Sequence, residues 1–295
     1  MYLNNGDKIA IVATARKISS KEIQPAIQNL KAWGLQVVLG DHIYSSDHQF
    51  AGTDEERTQD LQQMLDDDSI RAILIARGGY GTVRIIDKLD FSAFVKNPKW
   101  IIGYSDVTVL HSHIHTNFGI ETLHATMPLN FNTASEQTVS SLKKALFGDK
   151  QEYEFKTGPL SRKGEASGLL VGGNLSILYS LTGTASDIDT TNKILLIEDL
   201  DEYLYHVDRM MMNLKRSGKL DNLSGLIAGT LSDMNDNEIP YGKTAEEIVF
   251  DAVKEYNYPV VFGFPAGHTK ENLALVLGRE TAVTVGETTT LLTSL

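Results

Sequence analysis

Short apolar runs alternate with amphipathic polar segments through the first half of this 295-residue chain. Apolar runs predict strands at Lys8–Ala13, which should be buried, and at Leu35–Leu39, Ile70–Ala76 and Trp100–Tyr104. The segments between and after them predict helices, the first opened by Ser19-Ser20-Lys21-Glu22 and stopped at Gly34, the others over Asp54–Leu65, Val83–Leu89 and Asp106–Asn117. This rhythm is typical of a parallel sheet covered by helices, in which ligands bind at the carboxyl ends of the strands.

The second half has a different pattern. From about Gln151 to Gly168 the residues are mainly Lys, Gly, Ser, Pro and Glu, which predicts a linker. Beyond it we expect a helix over Tyr205–Arg216 and several strands, the last three forming a C-terminal meander: Leu169–Gly173, Lys193–Ile197, Leu223–Gly229, Pro259–Phe262, Leu273–Leu277, Thr281–Val285 and Thr289–Thr293. The sequence therefore predicts an α/β domain over residues 1–150, a linker over 151–168 and a β-rich domain over 169–295.

Composition narrows the classes of function. The net charge of −11 argues against a nucleic acid partner, which requires a basic face. The absence of cysteine excludes disulfides, thiolate catalysis and cysteine-based zinc sites. No apolar run approaches the roughly 20 residues of a membrane span, and the first residues lack the pattern of a signal peptide. We therefore expect a cytoplasmic protein without a membrane partner.

The most informative segment is Trp100-Ile101-Ile102-Gly103-Tyr104-Ser105-Asp106. An apolar strand ends in a glycine and is followed by a serine just before a helix. Such a turn exposes a nucleophilic hydroxyl beside the amides of the helix N-terminus. The segment does not match G-x-S-x-G, so a simple helix cap remains the alternative for Ser105.

A nucleophilic serine needs a base, and the base needs an orienting acid. Glu198 follows the apolar strand Lys193–Ile197, and His268 lies in the glycine- and proline-rich loop Phe262–His268. Glu198 is thus a candidate acid and His268 a candidate base. A solvated loop and a surface histidine remain the alternatives.

The loop Arg77-Gly78-Gly79-Tyr80-Gly81 follows the third strand, at the same sheet edge as Ser105. Adjacent glycines allow backbone N–H groups to approach a ligand closely, so the loop could stabilise an oxyanion. A phosphate cradle is the rival, although the loop fits neither phosphate-binding motif. A plain strand-to-helix turn is the third reading.

A histidine cluster, His111-Ser112-His113-Ile114-His115 with His124 nearby, could suggest a metal. No carboxylate lies within the cluster, and Ser112 stands where a zinc motif requires Glu. We therefore predict no metal and no cofactor, and a packing or solvated role for these histidines. Met210-Met211-Met212 predicts a core-facing helical segment.

Four motifs occur together in one order: Ala76–Gly81, Gly103–Thr108, Gly172–Ser176 with Ile197–Asp199, and Gly267-His268. In this combination the chain resembles the LD-carboxypeptidase family of serine peptidases over nearly its whole length. The resemblance implies Ser105 as nucleophile, His268 as general base, Glu198 as its orienting acid, and the amides of Gly79 and Asp106 as the oxyanion hole. It also implies a Rossmann-like N-terminal domain, a β-rich C-terminal domain, an active site between them, and a homodimer.

The resemblance further implies a murein tetrapeptide substrate, from which terminal D-alanine is released in cell-wall recycling. The alternative within the same family is hydrolysis of a peptide-nucleotide antibiotic for self-immunity. A non-catalytic α/β protein that binds a sugar or nucleotide through Gly78-Gly79 is the alternative from another class.

Overall fold

The computed structural model describes all 295 residues, which form two sheets and their covering helices. The strands are β1 Lys8–Val12, β2 Gln36–Leu39, β3 Ile70–Ile75, β4 Trp100–Gly103, β5 Thr122–His124, β6 Glu152–Lys156, β7 Gly164–Asn174, β8 Ile194–Leu200, β9 Gly225–Ser232, β10 Val260–Phe262, β11 Leu275–Leu277, β12 Glu280–Val285 and β13 Thr289–Ser294. The helices are α1 Ser20–Ala32, α2 Asp54–Asp66, α3 Ser92–Lys96, α4 Thr108–Phe118, α5 Glu136–Phe147, α6 Leu175–Leu181, α7 Leu204–Arg216 and α8 Ala245–Val253. No helix combines the length and apolar character that crossing a bilayer requires.

The first sheet has the strand order β2-β1-β3-β4-β5-β11. Its first five strands are parallel, and only β11 runs antiparallel, against β5. Helices α1 and α5 bury their apolar residues on one face, and α2, α3 and α4 bury theirs on the other. The predicted parallel sheet covered by helices is confirmed.

The second sheet has the order β10-β9-β8-β7-β12-β13-β6. Its β7-β8-β9-β10 half is parallel, whereas β12, β13 and β6 pair in antiparallel fashion. Helices α6, α7 and α8 pack on one face of the parallel half. On the other face, strands β7 to β10, β12 and β13 share a core with β11 of the first sheet. The chain therefore has an α/β fold with two sheets that pack through a common core.

Three local expectations were wrong. The predicted linker 151–168 contains β6 and the first part of β7, because its alternating residues pair with β13 and β12. Leu275–Leu277, expected in a C-terminal meander, instead completes the edge of the first sheet beside β5. The helix expected over Val83–Leu89 is two short 3₁₀ turns, Thr82–Arg84 and Ile86–Lys88. In each case pairing or packing with distant residues outweighed local pattern.

Candidate active site

Ser105 lies directly after β4, in a turn with unusual backbone geometry. Its φ angle is +61°, in the left-handed region that non-glycine residues rarely adopt, and a 3₁₀ turn over Ser105–Val107 leads into α4. Gly78 packs so closely against this turn that there is little room for a side chain at position 78, because a Cβ there would lie 3.1 Å from Ser105 Oγ. Behind the turn, buried His111 donates Nε2–H to the carbonyl oxygen of Gly103 at 3.0 Å. The turn therefore has a strained backbone, is tightly packed, and is held in place by the hydrogen bond from His111.

His268 and Glu198 form a hydrogen-bonded pair although 70 residues separate them. His268 Nδ1 lies 2.8 Å from Glu198 Oε2, and the carboxylate can only accept, so Nδ1 carries the proton and, in the neutral ring, Nε2 has a free lone pair. Burial acts to lower the pKa of His268, but the hydrogen bond and negative charge of Glu198, with a smaller effect of Asp199, raise it above its ordinary value. The pair has the geometry of a base held by an acid.

Glu198 is completely buried at the end of β8, where two glycines make room for it. A Cβ on Gly267 would lie 2.7 Å from Glu198 Oε2, and one on Gly229 would lie 3.4 Å from Glu198 Cβ. These close contacts hold the carboxylate in one position against the loop that carries His268.

The next residue, Asp199, is a second buried carboxyl group. It accepts hydrogen bonds from Asn174 Nδ2, from the Ser176 amide and from its neighbour's amide, all at 2.8–2.9 Å. Burial and the adjacent Glu198 charge raise the pKa of Asp199 to about 7. Asp199 therefore ties the start of α6 to the strand that carries Glu198.

A cavity of about 540 Å³ brings the candidate residues together, with Ser105, His268, Gly79 and Asp106 all in its wall. Ser105 is not hydrogen-bonded to His268, but the ring of the adjacent Tyr104 packs 4.8 Å from the imidazole centroid. Catalytic hydrogen bonds are often long in unliganded enzymes and shorten when substrate binds. The structure thus places the serine and the His268–Glu198 pair around one space.

The backbone around this cavity offers free donors. Neither the Gly79 nor the Asp106 amide donates a hydrogen bond to another backbone group, and Gly79 adopts a φ of +112°. The Asp106 side chain faces away from this role, since it accepts from the Thr82 amide at 2.9 Å and is itself buried. Asp106 therefore links the serine turn to the end of the Gly78–Gly81 loop, while both amides remain available for an oxygen of the ligand.

The His268 loop is fastened to the first sheet. Asn272 Oδ1 accepts the Gly267 N–H at 3.0 Å and also lies 3.2 Å from Nε2 of buried His124, at the end of β5. The amide of Asn272 lies 2.9 Å from Thr138 Oγ1 in α5. These contacts explain how a base from the second half of the chain reaches a serine in the first half.

The histidine cluster has packing roles in this structure. His111 contacts Gly103 as described, and burial lowers the pKa of His111 to about 3. His113 Nδ1 instead lies 2.9 Å from Ser186 Oγ, and His115 is half-buried. Met210 and Met211 are buried in the core, whereas Met212 is exposed.

Several residues of the site were not predicted from the sequence. Asp199 and Asn174 lie within quoted motifs, but nothing in their spacing indicates their mutual hydrogen bond. Two arginines, Arg16 and Arg77, line the cavity, and Arg16 carries no sequence signal because it lies in an ordinary loop after β1.

The sequence matches two domains of one known protein family and several named relatives. The LD-carboxypeptidase N-terminal domain matches residues 9–125, and the LD-carboxypeptidase C-terminal domain matches residues 167–283. The probable murein peptide carboxypeptidase of Bacillus subtilis is 36% identical over 292 residues, covering 97% of this chain and 92% of the relative. The murein tetrapeptide carboxypeptidase of Pseudomonas aeruginosa is 28% identical, covering 95% and 93%.

Solved structures show the same fold. The muramoyltetrapeptide carboxypeptidase from Oxalobacter formigenes superimposes with a TM-score of 0.88 at 27% identity, covering 97% of this chain and 98% of that one. The microcin C7 self-immunity protein MccF has a TM-score of 0.88 at 24% identity, covering 100% and 98%, which is a likeness of fold. The fold and matched domains define a serine-type carboxypeptidase. The chain belongs to the LD-carboxypeptidase family.

Proposed function

We propose that Ser105 is the nucleophile, His268 the general base and Glu198 the acid that orients it. The observation that carries this assignment is the 2.8 Å contact between His268 Nδ1 and buried Glu198, in the wall of the cavity that also contains Ser105. The amides of Gly79 and Asp106 form the oxyanion hole in this proposal, which is supported by their position beside Ser105 and their lack of backbone acceptors.

In the first step Ser105 Oγ attacks the scissile carbonyl carbon, and its proton passes to His268 Nε2. The carbonyl oxygen becomes negative and accepts hydrogen bonds from the two amides, while Glu198 stabilises the imidazolium. The C–N bond then breaks, and the leaving amine takes the proton from His268. Water, deprotonated by the same histidine, hydrolyses the acyl-enzyme and restores Ser105.

The proposed substrate is the murein tetrapeptide, from which the enzyme releases terminal D-alanine by cleaving its bond to meso-diaminopimelate or L-lysine. The relatives named as murein peptide and murein tetrapeptide carboxypeptidases support this substrate. The cavity suits a short polar peptide, since most of its lining groups are polar.

A peptide-nucleotide substrate is the alternative within the family. Nucleobases are usually bound by stacking on an aromatic side chain. Apart from the imidazole of His268, the only aromatic side chain in the cavity wall is Tyr104, and the two rings already pack on each other. The lining therefore favours the peptide over the nucleotide. Binding without catalysis is disfavoured because a buried Glu–His pair beside a strained serine has no use in a simple binding site.

The test is a mass-spectrometric assay of the wild type on murein tetrapeptide and, separately, on a peptidyl-adenylate. We expect loss of D-alanine from the tetrapeptide and no cleavage of the peptidyl-adenylate. Ser105→Ala should abolish this activity, whereas Ser180→Ala, which removes an exposed hydroxyl from α6, should not. Cleavage of the peptidyl-adenylate alone would establish the alternative, and cleavage of neither would contradict both.

The remaining parts of the proposal concern organisation. The division into a domain over residues 1–150 that carries Ser105 and one over 169–295 that carries Glu198 and His268 is supported by the two matched family domains. Strand β6 and the first part of β7 extend the second domain into residues 151–168, and β11 of that domain completes the first sheet. A homodimer and a cytoplasmic location complete the proposal. Analytical ultracentrifugation of the purified protein and fractionation of the producing cells test them.

A further inference from the structure

Two arginine side chains in the cavity wall beside the proposed oxyanion hole form no salt bridge with an acidic residue. Arg16 and Arg77 both line the cavity, and neither guanidinium forms an ion pair. Arg77 donates only to the carbonyl oxygen of Lys17, at 3.2 Å, and Arg16 makes no side-chain hydrogen bond at all. Several other arginines of the chain also lack an ion pair, but Arg16 and Arg77 are the two that line the cavity, where a negative group of a ligand can reach them.

The acidic groups of the same cavity are different, because each already has partners. Asp199 accepts three hydrogen bonds, Asp201 accepts one from Asn235, and Glu202 pairs with His206 at 2.6 Å. These carboxylates keep their charge but already accept hydrogen bonds, whereas the guanidinium of Arg16 has all its donors free. Arg16 is therefore the charged group of this wall that is best able to bind an anionic group of the ligand.

Arg16 also lies in close contact with the residue that would bind the oxyanion. A Cβ built on Gly79 would lie 2.6 Å from Arg16 Cδ and 2.9 Å from Arg16 Nε, so the side chain of Arg16 lies close against Gly79. The Arg16 amide also lies 3.4 Å from the carbonyl oxygen of Gly78. The backbone contact thus places the Arg16 side chain beside Gly79, with its guanidinium free of other partners.

Peptide geometry links these two positions. The carboxylate carbon of a C-terminal residue is three bonds from the scissile carbonyl carbon, which places it roughly 3–4 Å away. A carbonyl oxygen bound at Gly79 therefore has the terminal carboxylate as its near neighbour. A guanidinium suits a carboxylate because its planar fork can form two parallel hydrogen bonds.

We propose that Arg16 binds the free C-terminal carboxylate of the substrate, with Arg77 adding positive potential, and so restricts cleavage to the last peptide bond. This inference rests on the proposed function and names the group that makes the enzyme an exopeptidase.

The test compares murein tetrapeptide that ends in a free carboxylate with the same peptide as its C-terminal amide. Wild type should prefer the acid by about 10- to 100-fold in kcat/KM, the loss expected when a charge-assisted hydrogen bond is removed. Arg16→Gln should lower kcat/KM for the acid by a similar factor and leave the amide unchanged, and Arg16→Lys should give an intermediate loss. Arg216→Gln, which removes an exposed arginine at the end of α7, is the matched control and should change neither.

An equal loss on both peptides in Arg16→Gln, or an unchanged preference for the acid, would overturn the inference. If wild type cleaves neither peptide, the proposed function fails, and binding decides the inference independently. Calorimetry would then compare the acid and the amide on Ser105→Ala and on Ser105→Ala/Arg16→Gln. Tighter binding of the acid that disappears with Arg16 would keep the carboxylate site. No difference, or no binding, would remove it.

Discussion

Replacing Glu198 with glutamine tests the electrostatic basis of the proposed triad. The substitution keeps the size of the side chain in a fully buried position but removes its charge. The titratable groups around His268 are Glu198, Asp199, Tyr104 and His124. Burial raises the pKa of Tyr104 and lowers the pKa of His124, so both remain neutral near pH 7. Glu198 is therefore the principal charge acting on the base.

The direction of the effect follows from the opposing contributions at His268. Burial alone lowers its pKa, and the Glu198 hydrogen bond and charge reverse that shift. A charge-assisted hydrogen bond contributes about 1.5–3 kcal/mol, so its loss leaves burial as the larger influence on the imidazole. Without the carboxylate we expect the pKa of His268 to fall. The glutamine NH₂ can also hold the wrong tautomer, so kcat should fall by roughly 10⁴-fold.

The assay is the pH dependence of kcat/KM for D-alanine release. A base must be neutral to accept the serine proton, so the rate rises with pH through the pKa of His268. In wild type the midpoint of this rise should lie above the ordinary value of about 6.5. In Glu198→Gln it should move to lower pH while the plateau falls, and Glu238→Gln, on an exposed loop, should leave both unchanged. A midpoint that stays in place, or moves to higher pH, would refute the electrostatic argument.

Three further predictions address the same site. Ser105→Ala/His268→Ala should be little slower than either single variant, each reduced roughly 10⁴-fold in kcat, because members of one catalytic unit are not additive; losses that multiply would contradict the triad. Gly267→Ala should lower the free energy of unfolding in urea by about 1–3 kcal/mol and reduce kcat, since its φ is +122° and its Cβ would meet Glu198. Gly263→Ala is the control, since Gly263 has a φ of +85° and no atom lies within 4 Å of a Cβ built there. It should lose stability through backbone strain but keep its kcat, so an equal kcat in the two variants would contradict the clash between Gly267 and Glu198. Dialysis against a chelator should leave kcat unchanged, and activity lost and then restored by zinc would argue for a metal.

Much of the first sheet can be predicted from local sequence. The apolar runs of β1, β3 and β4 are nearly continuous because both faces of these strands are covered, and parallel strands buried on both faces have this pattern. The capping box formed by Ser19 and Glu22 at the start of α1 is likewise a local arrangement that the sequence reveals. The serine turn also shows in the sequence, because a strand, a glycine and a helix start follow one another directly.

The pairing of distant segments could not be predicted in this way. Residues 151–168 have the composition of a linker, yet β6 and β7 form there because β13 and β12 offer matching edges. Leu275–Leu277 could have paired with either sheet on pattern alone, and the open edge of β5 determines the outcome. Strand pairing depends on which edges are free in the folded protein, which is not a property of a short segment.

The sequence by itself determined the order of elements, the serine turn and the residue types available for catalysis. Only the tertiary structure decided that His268 would meet Glu198, that Asn272 would fasten their loop to the first sheet, and that Arg16 would lie across Gly79. The physical reason is the distance along the chain over which each interaction acts. Helix periodicity, caps and turns act over a few residues, whereas these contacts form only when two sheets have packed around a common core.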